Sequence, residues 1–90
     1  MLSLQDCIDL CELTEAEIEA IAEHEHIPTV VAVELAEYLV ESEGGERRIR
    51  AMIRDDIQAA LARSDRAHAQ ALVRVLRNFI ATHPERETVD

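Results

Sequence analysis

The sequence predicts an all-α fold: a compact bundle of about five helices that ends in a long antiparallel helix hairpin. Apolar residues recur at spacings of three and four along the chain, and no stretch shows the period of two that indicates a strand. Hydrophobic residues make up 48% of the 90 residues, but aromatic residues only 2%. A core of Leu, Ile, Val and Ala favours packing between helices over a β-sandwich. Helix start and stop signals then divide the chain into five segments.

The first segment predicts a short helix over about Leu4–Cys11, with Ser3 as its N-cap. Its apolar residues lie on one stripe at helical spacing: Leu4, Cys7, Ile8 and Cys11. The two thiols stand one helical turn apart, with Cβ atoms about 5–6 Å from each other, which is wider than a disulfide requires. We therefore interpret Cys7 and Cys11 as small buried hydrophobes, and the alternatives are redox sensing or metal binding together with His24 or His26.

The second segment has the clearest start signal in the chain. Thr14 stands three residues before Glu17, which predicts a capping box at the start of a helix. Carboxylates crowd the first turns, where the helix dipole favours negative charge. We expect this helix to end near His26, because Pro28 disfavours helical backbone geometry at the residue before it.

The third segment predicts a helix over about Thr29–Ser42, with Pro28 placed as its first residue. Apolar residues cover most of its circumference, and one strip alone is polar: Glu34, Glu37 and Glu41. A helix that is apolar nearly all round is central in a fold or lies in an interface. We expect Gly44 and Gly45 to end it, since glycine supplies the left-handed geometry that a helix terminus needs.

The last two segments predict the two longest helices, over about Glu46–Arg63 and Arg66–Thr82. Each carries a sustained apolar stripe at helical spacing: Ile49, Met52, Ile53, Ile57, Ala60 and Leu61 on one, and Ala69, Leu72, Val75, Leu76, Phe79 and Ile80 on the other. Ser64 or Asp65 supplies the N-cap of the last helix, and Pro84 ends it. We expect residues 1–84 to form a single domain and residues 85–90 to fray.

Charge is divided unevenly along the chain, whose net charge is −10. Residues 1–46 hold 13 carboxylates and no Lys or Arg, whereas residues 47–90 hold nine arginines and six carboxylates. Such an acidic chain is repelled by nucleic acid and by anionic lipid headgroups, so we expect neither as a partner. We expect the densest basic group to pair with the acidic half rather than to bind phosphate: Arg47, Arg48, Arg50 and Arg54.

The sequence predicts a cytoplasmic protein. The first residues lack the basic n-region of a secretory signal, and no apolar run is long enough to span a membrane. The two cysteines suit a compartment in which thiols stay reduced.

The tetrad Glu23-His24-Glu25-His26 is the candidate metal site. Imidazoles and carboxylates bind Zn or Fe ions, and Glu23 and His26 share a helix face because they stand three residues apart. His24 and His26 are two residues apart, so they converge only if the helix has already ended. The interpretation that we favour is structural: His26 lies at a helix C terminus, where a cationic imidazole is favoured, and His24 is exposed.

The sequence favours a non-enzymatic protein–protein interaction module over an enzyme, and the expected partner is a second copy of the chain. No set of nucleophile, base and orienting residue can be assembled, and there is no glycine-rich phosphate loop. The third helix has more apolar surface than four short neighbours cover, which marks an interface. We expect the contact to involve Val30, Val33, Glu34, Glu37 and Val40. A further alternative is a regulatory adaptor that binds a basic partner through the carboxylates of this helix.

Three stretches resemble a family of short, uncharacterised proteobacterial helical proteins: Leu13–Glu15, Ala20–Pro28 with the motif AIAEHEHIP, and Asp65–His68. The similarity covers nearly the whole chain. It implies a bacterial cytoplasmic origin, and it adds no activity and no mechanism.

Overall fold

The computed structural model describes Ser3 and residues 13–84. These residues form four helices: α1 (Glu15–Glu25), α2 (Thr29–Glu41), α3 (Gly45–Ala62) and α4 (Arg66–Thr82). No strand occurs in this described part of the chain, which confirms the predicted all-α class. The predicted helix over Leu4–Cys11, with Cys7 and Cys11, lies outside the described residues, as does the tail 85–90.

α1 begins at the predicted capping box. The Thr14 N–H donates to Glu17 Oε1 at 2.9 Å, and the Glu17 N–H donates to Thr14 Oγ1 at 3.2 Å. Glu17 is only 1% exposed, and its other oxygen, Oε2, accepts a hydrogen bond from Asn78 Nδ2 on α4 at 3.2 Å. One carboxylate therefore caps α1 and ties it to α4. At the other end, the C-cap is His26, with a left-handed φ of 57°.

α2 packs one side on the core and turns the other side outwards. Its buried residues stand three and four apart, as one face of a helix requires: Ala32, Val33, Ala36 and Leu39. Pro28 is the N-cap and not the first helical residue, since its ψ of 152° is extended. A proline at this position removes no hydrogen bond from the helix, because the N-cap N–H lies outside the intrahelical ladder.

Two glycines shape the turn between α2 and α3. Gly44 has a φ of 77°, in the left-handed region that favours glycine. A Cβ on Gly45 would lie 1.6 Å from the carbonyl oxygen of Leu39. Only glycine therefore lets the first turn of α3 approach the last turn of α2 this closely.

α3 and α4 are the longest helices and pack against each other more extensively than any other pair. They are joined by the turn 63–65, in which the Asp65 side chain caps α4 by accepting from the His68 N–H at 3.2 Å. Their apolar stripes meet α1 and α2 in one core, whose largest fully buried apolar side chains are Phe79, Ile18, Ile21, Leu39, Ile49 and Ile53. None of the described helices is long and apolar enough to cross a membrane.

Two residues of the predicted stripes are not in the core. Leu61 is 55% exposed and Ile80 is 40% exposed. Their chain neighbours Ala60 and Phe79 are fully buried, so Leu61 and Ile80 lie to the side of the core-facing surface of α3 and α4 and not beyond its end.

Candidate functional site

The most prominent apolar surface is the side of α2 that faces away from the core, which we call the α2 outer face. It is formed by six exposed residues: Val30, Val31, Glu34, Glu37, Tyr38 and Glu41. The exposed fraction is 54% for Val30, 43% for Val31 and 65% for Tyr38. Among the described residues, no other large hydrophobic side chain is as exposed as Tyr38.

The α2 outer face contains three of the five residues that the sequence predicts in the contact. Val30, Glu34 and Glu37 lie on it. Val33 does not, because it is only 4% exposed and belongs to the core, and Val40 is partly buried against the core. Helical spacing explains the difference, since a helix that buries Ala36 also buries the residues three before it and four after it.

Sequence reasoning did not single out Val31 and Tyr38, which the structure places on the α2 outer face. They stand seven residues apart, which places them on one side of the helix. The available signal was the pair Ala32 and Ala36, because small side chains four residues apart let a neighbouring helix approach closely and so mark the inward side. Val31 and Tyr38 lie well away from that inward side and are exposed.

The α2 outer face is acidic as well as apolar. Glu34, Glu37 and Glu41 are exposed, and α2 contains no Lys, Arg or His. No ion pair with another described residue engages these carboxylates. The surface therefore offers a partner both apolar area and uncompensated negative charge.

The arginines of α3 do not neutralise this charge within the described part of the chain. Arg47, Arg48 and Arg54 are exposed and form no ion pair there. Arg50 is buried. The predicted pairing of these three exposed arginines with the acidic half is therefore wrong for the described residues.

A second candidate site lies where α1, α3 and α4 meet, and we call it the His–carboxylate cluster: Glu23, His24, Asp55, Asp56 and His68. His68 Nε2 lies 2.8 Å from Glu23 Oε2, which joins α4 to α1. His24 Nε2 lies 3.7 Å from Asp55 Oδ2, which joins α1 to α3. The His24 side chain is only 25% exposed, so it is partly buried, whereas the sequence predicted it to be exposed. The contacts within the cluster link α1 to α3 and to α4 near the surface.

Asp56 is the acid whose environment disfavours ionisation most clearly. Its Oδ2 atom is buried and accepts no hydrogen bond from the described residues. Burial raises the pKa of Asp56 above its usual value of 3.8; the neighbouring Glu23 and Asp55 carboxylates raise it further, whereas the two histidines lower it. Ionised Asp56 is therefore a cost to the folded state at neutral pH.

The cluster differs from the metal site that the sequence predicts. Glu23 and His24 belong to it, but His26 caps α1 and takes no part in the ion pairs of the described residues. His68 comes from α4, 45 residues along the chain from Glu23, and no local spacing could have indicated that approach. In the described part of the chain, no group of three or more His, Cys, Asp and Glu could hold a metal ion. Cys11 lies outside that part, and the metal site stays a prediction.

Comparisons with protein-family models, with curated proteins and with solved structures found no match. The resemblance of the three sequence stretches to a proteobacterial family therefore also stays a prediction.

Proposed function

We propose that this chain is a non-enzymatic protein–protein interaction module that associates with a second copy of itself, with a homodimer as the smallest assembly. The α2 outer face is its docking surface. The observation that carries the proposal is the exposure of Val30, Val31 and Tyr38 on one 13-residue helix. Single apolar side chains scattered over a surface are ordinary, whereas several together on one face are typical of an interaction site.

The chemistry of these side chains suits association. A large apolar side chain that becomes fully buried contributes about 1.5–3 kcal/mol. Valine loses little conformational freedom on binding, because a β-branched side chain in a helix already has one preferred rotamer. Tyr38 adds an aromatic ring with a polar hydroxyl, a combination that is enriched at protein interfaces.

The proposal extends to the architecture and the location of the module. We infer that α3 and α4 form a long antiparallel hairpin, which the short turn 63–65 and the extensive contact between the two helices support. We also infer a bacterial cytoplasmic location, which the family resemblance and the two cysteines support.

A second candidate is an acidic adaptor that binds a basic partner protein. The specific observation in its favour is that Glu34, Glu37 and Glu41 are exposed on a helix without a cation. This candidate requires a chain that remains monomeric alone and binds its partner less tightly as salt rises, because salt screens exposed charges.

Light scattering of the wild-type chain and two variants tests self-association. The double variant Val31→Ser/Tyr38→Ser removes apolar groups from the α2 outer face, and Leu61→Ser is the matched control because Leu61 is 55% exposed on α3. We expect wild type and Leu61→Ser to exceed the chain mass of 10.1 kDa. Loss of two buried side chains raises the Kd of the double variant by at least about 100-fold, so it is a monomer at the same concentration.

Two results contradict the proposal. A wild-type chain that stays monomeric at the highest soluble concentration rules out self-association and leaves the adaptor. Equal weakening by Leu61→Ser and by the double variant shows that the α2 outer face has no special role.

A further inference from the structure

We propose that self-association is head-to-tail: the α2 outer face of one copy docks on the exposed side of α4 of the next copy. This inference rests on the proposed function and names the surface that receives α2. The exposed side of α4, which we call the α4 outer face, carries three arginines: Arg66, Arg74 and Arg77.

The α4 outer face is the electrostatic complement of the α2 outer face. The 17 residues of α4 include no Asp or Glu, and α2 includes no Lys, Arg or His. Within the described residues, no ion pair engages Arg66, Arg74 or Arg77. Ile80, 40% exposed, adds an apolar side chain next to the arginines. The α4 outer face therefore offers the positive charge that α2 lacks, and the α2 outer face offers the negative charge that α4 lacks.

The spacing of the charges also matches. Glu34 and Glu37 stand three residues apart, as do Arg74 and Arg77, so each pair spans about 4.5 Å along its helix axis at a rise of 1.5 Å per residue. Both carboxylates can therefore meet both guanidinium groups at once. A single exposed pair contributes little, but charge matching over a whole face sets which surfaces meet and in what register.

The arrangement of the helices keeps both faces free in one molecule. α2 and α4 contact each other least among the pairs of described helices, so a chain does not use its own α4 outer face to cover its α2 outer face. A two-fold pairing through α2 alone would bring together two sets of the carboxylates Glu34, Glu37 and Glu41 without a cation on either helix. Head-to-tail contact avoids this repulsion, and it leaves one face of each kind free for growth into a ring or an open chain.

Charge reversal on each face, followed by mixing, tests the inference. Glu34→Arg/Glu37→Arg makes both faces of a chain basic, and Arg74→Glu/Arg77→Glu makes both faces acidic. We expect each variant alone to bind itself at least about tenfold more weakly than wild type at low salt, since like charges then oppose each other. Mixing the two variants restores complementary faces, and we expect the mixture to associate within about threefold of the wild-type Kd. Sedimentation velocity measures all three samples.

The outcomes separate this inference from the proposed function. If Arg74→Glu/Arg77→Glu associates like wild type, α4 is not the receiving surface, and self-association through α2 still stands. If both variants alone are monomeric and their mixture is monomeric too, the two faces do not meet. If wild type is itself a monomer, both proposals fail.

All four substituted positions are exposed in helices, and circular dichroism with thermal melting checks that each variant remains folded. If a reversed variant does not fold, the neutral variants Glu34→Gln/Glu37→Gln and Arg74→Gln/Arg77→Gln replace it. We expect these to weaken association at low salt by similar factors and to show less salt dependence than wild type. If Glu34→Gln/Glu37→Gln weakens association and Arg74→Gln/Arg77→Gln does not, the head-to-tail arrangement is wrong.

Discussion

Replacing Glu17 with alanine removes the side chain that both caps α1 and joins it to α4. Two donors then lose their acceptor: the Thr14 N–H, bonded at 2.9 Å, and Asn78 Nδ2, bonded at 3.2 Å. A hydrogen bond to a charged group contributes about 1.5–3 kcal/mol. Both donors are only partly buried, so hydrogen bonds to water replace part of the lost free energy. We therefore expect Glu17→Ala to lower the free energy of unfolding by about 2–4 kcal/mol.

Urea denaturation followed by circular dichroism measures this loss, and thermal melting provides a second readout. For a domain of this size, 1 kcal/mol corresponds to about 4–8 °C in Tm, so the Tm falls by roughly 10–30 °C. Glu19→Ala is the control, since Glu19 lies exposed on the same helix, and a surface substitution of this kind changes stability by about 0.5 kcal/mol or less. Glu17→Gln keeps an acceptor for Thr14 and loses the charge, so we expect an intermediate effect.

Equal stability of Glu17→Ala and Glu19→Ala would contradict a stabilising role of Glu17. That result would mean that the buried carboxylate contributes no more to the fold than an exposed one, and that its desolvation cancels its hydrogen bonds.

Three further predictions concern the cluster, the turn and the metal hypothesis. Asp56→Asn raises the Tm at pH 7, because the pKa of Asp56 is raised in the folded chain and its ionisation therefore opposes folding. The gain in Tm over wild type shrinks as the pH falls towards 3.8, where Asp56 is increasingly protonated in the unfolded chain as well. Glu19→Gln, at an exposed carboxylate outside the cluster, serves as its control, and a Tm gain that grows on acidification contradicts the argument. Gly45→Ala lowers the free energy of unfolding by about 3 kcal/mol or more, since its Cβ meets backbone, whereas Gly44→Ala costs about 1–2 kcal/mol; equal losses in denaturation curves would refute the close approach. Adding Zn or Fe leaves the Tm unchanged. A rise in Tm on adding metal, which His24→Gln abolishes, would instead support the predicted metal site.

Local signals in the sequence predicted the helices well. The Thr14–Glu17 capping box, the end of α1 near His26 and the Asp65 cap are each determined by residues within a few positions of the helix end. The two glycines marked the boundary between α2 and α3, but they do not end α2: its C-cap is the extended residue Ser42, and Gly44 is the N-cap of α3. Helical periodicity found the core residues of α3 and α4, but it also included Leu61 and Ile80, which are exposed next to the buried Ala60 and Phe79.

The sites required information that periodicity does not hold. Apolar residues cover most of α2, so the apolar pattern alone did not say which side faces the core, and Val33 was assigned to the contact surface although it is buried. The approach of His68 to Glu23 joins residues 45 positions apart. Such a contact depends on how whole helices pack, and no motif of neighbouring residues encodes it.

Sedimentation equilibrium of the wild-type chain over a wide range of concentrations tests the central claim, that the α2 outer face joins copies of this chain. The account predicts an average mass that exceeds 10.1 kDa and rises with protein concentration, because a head-to-tail contact leaves a free face at each end. A mass that equals that of one chain at every concentration would contradict it.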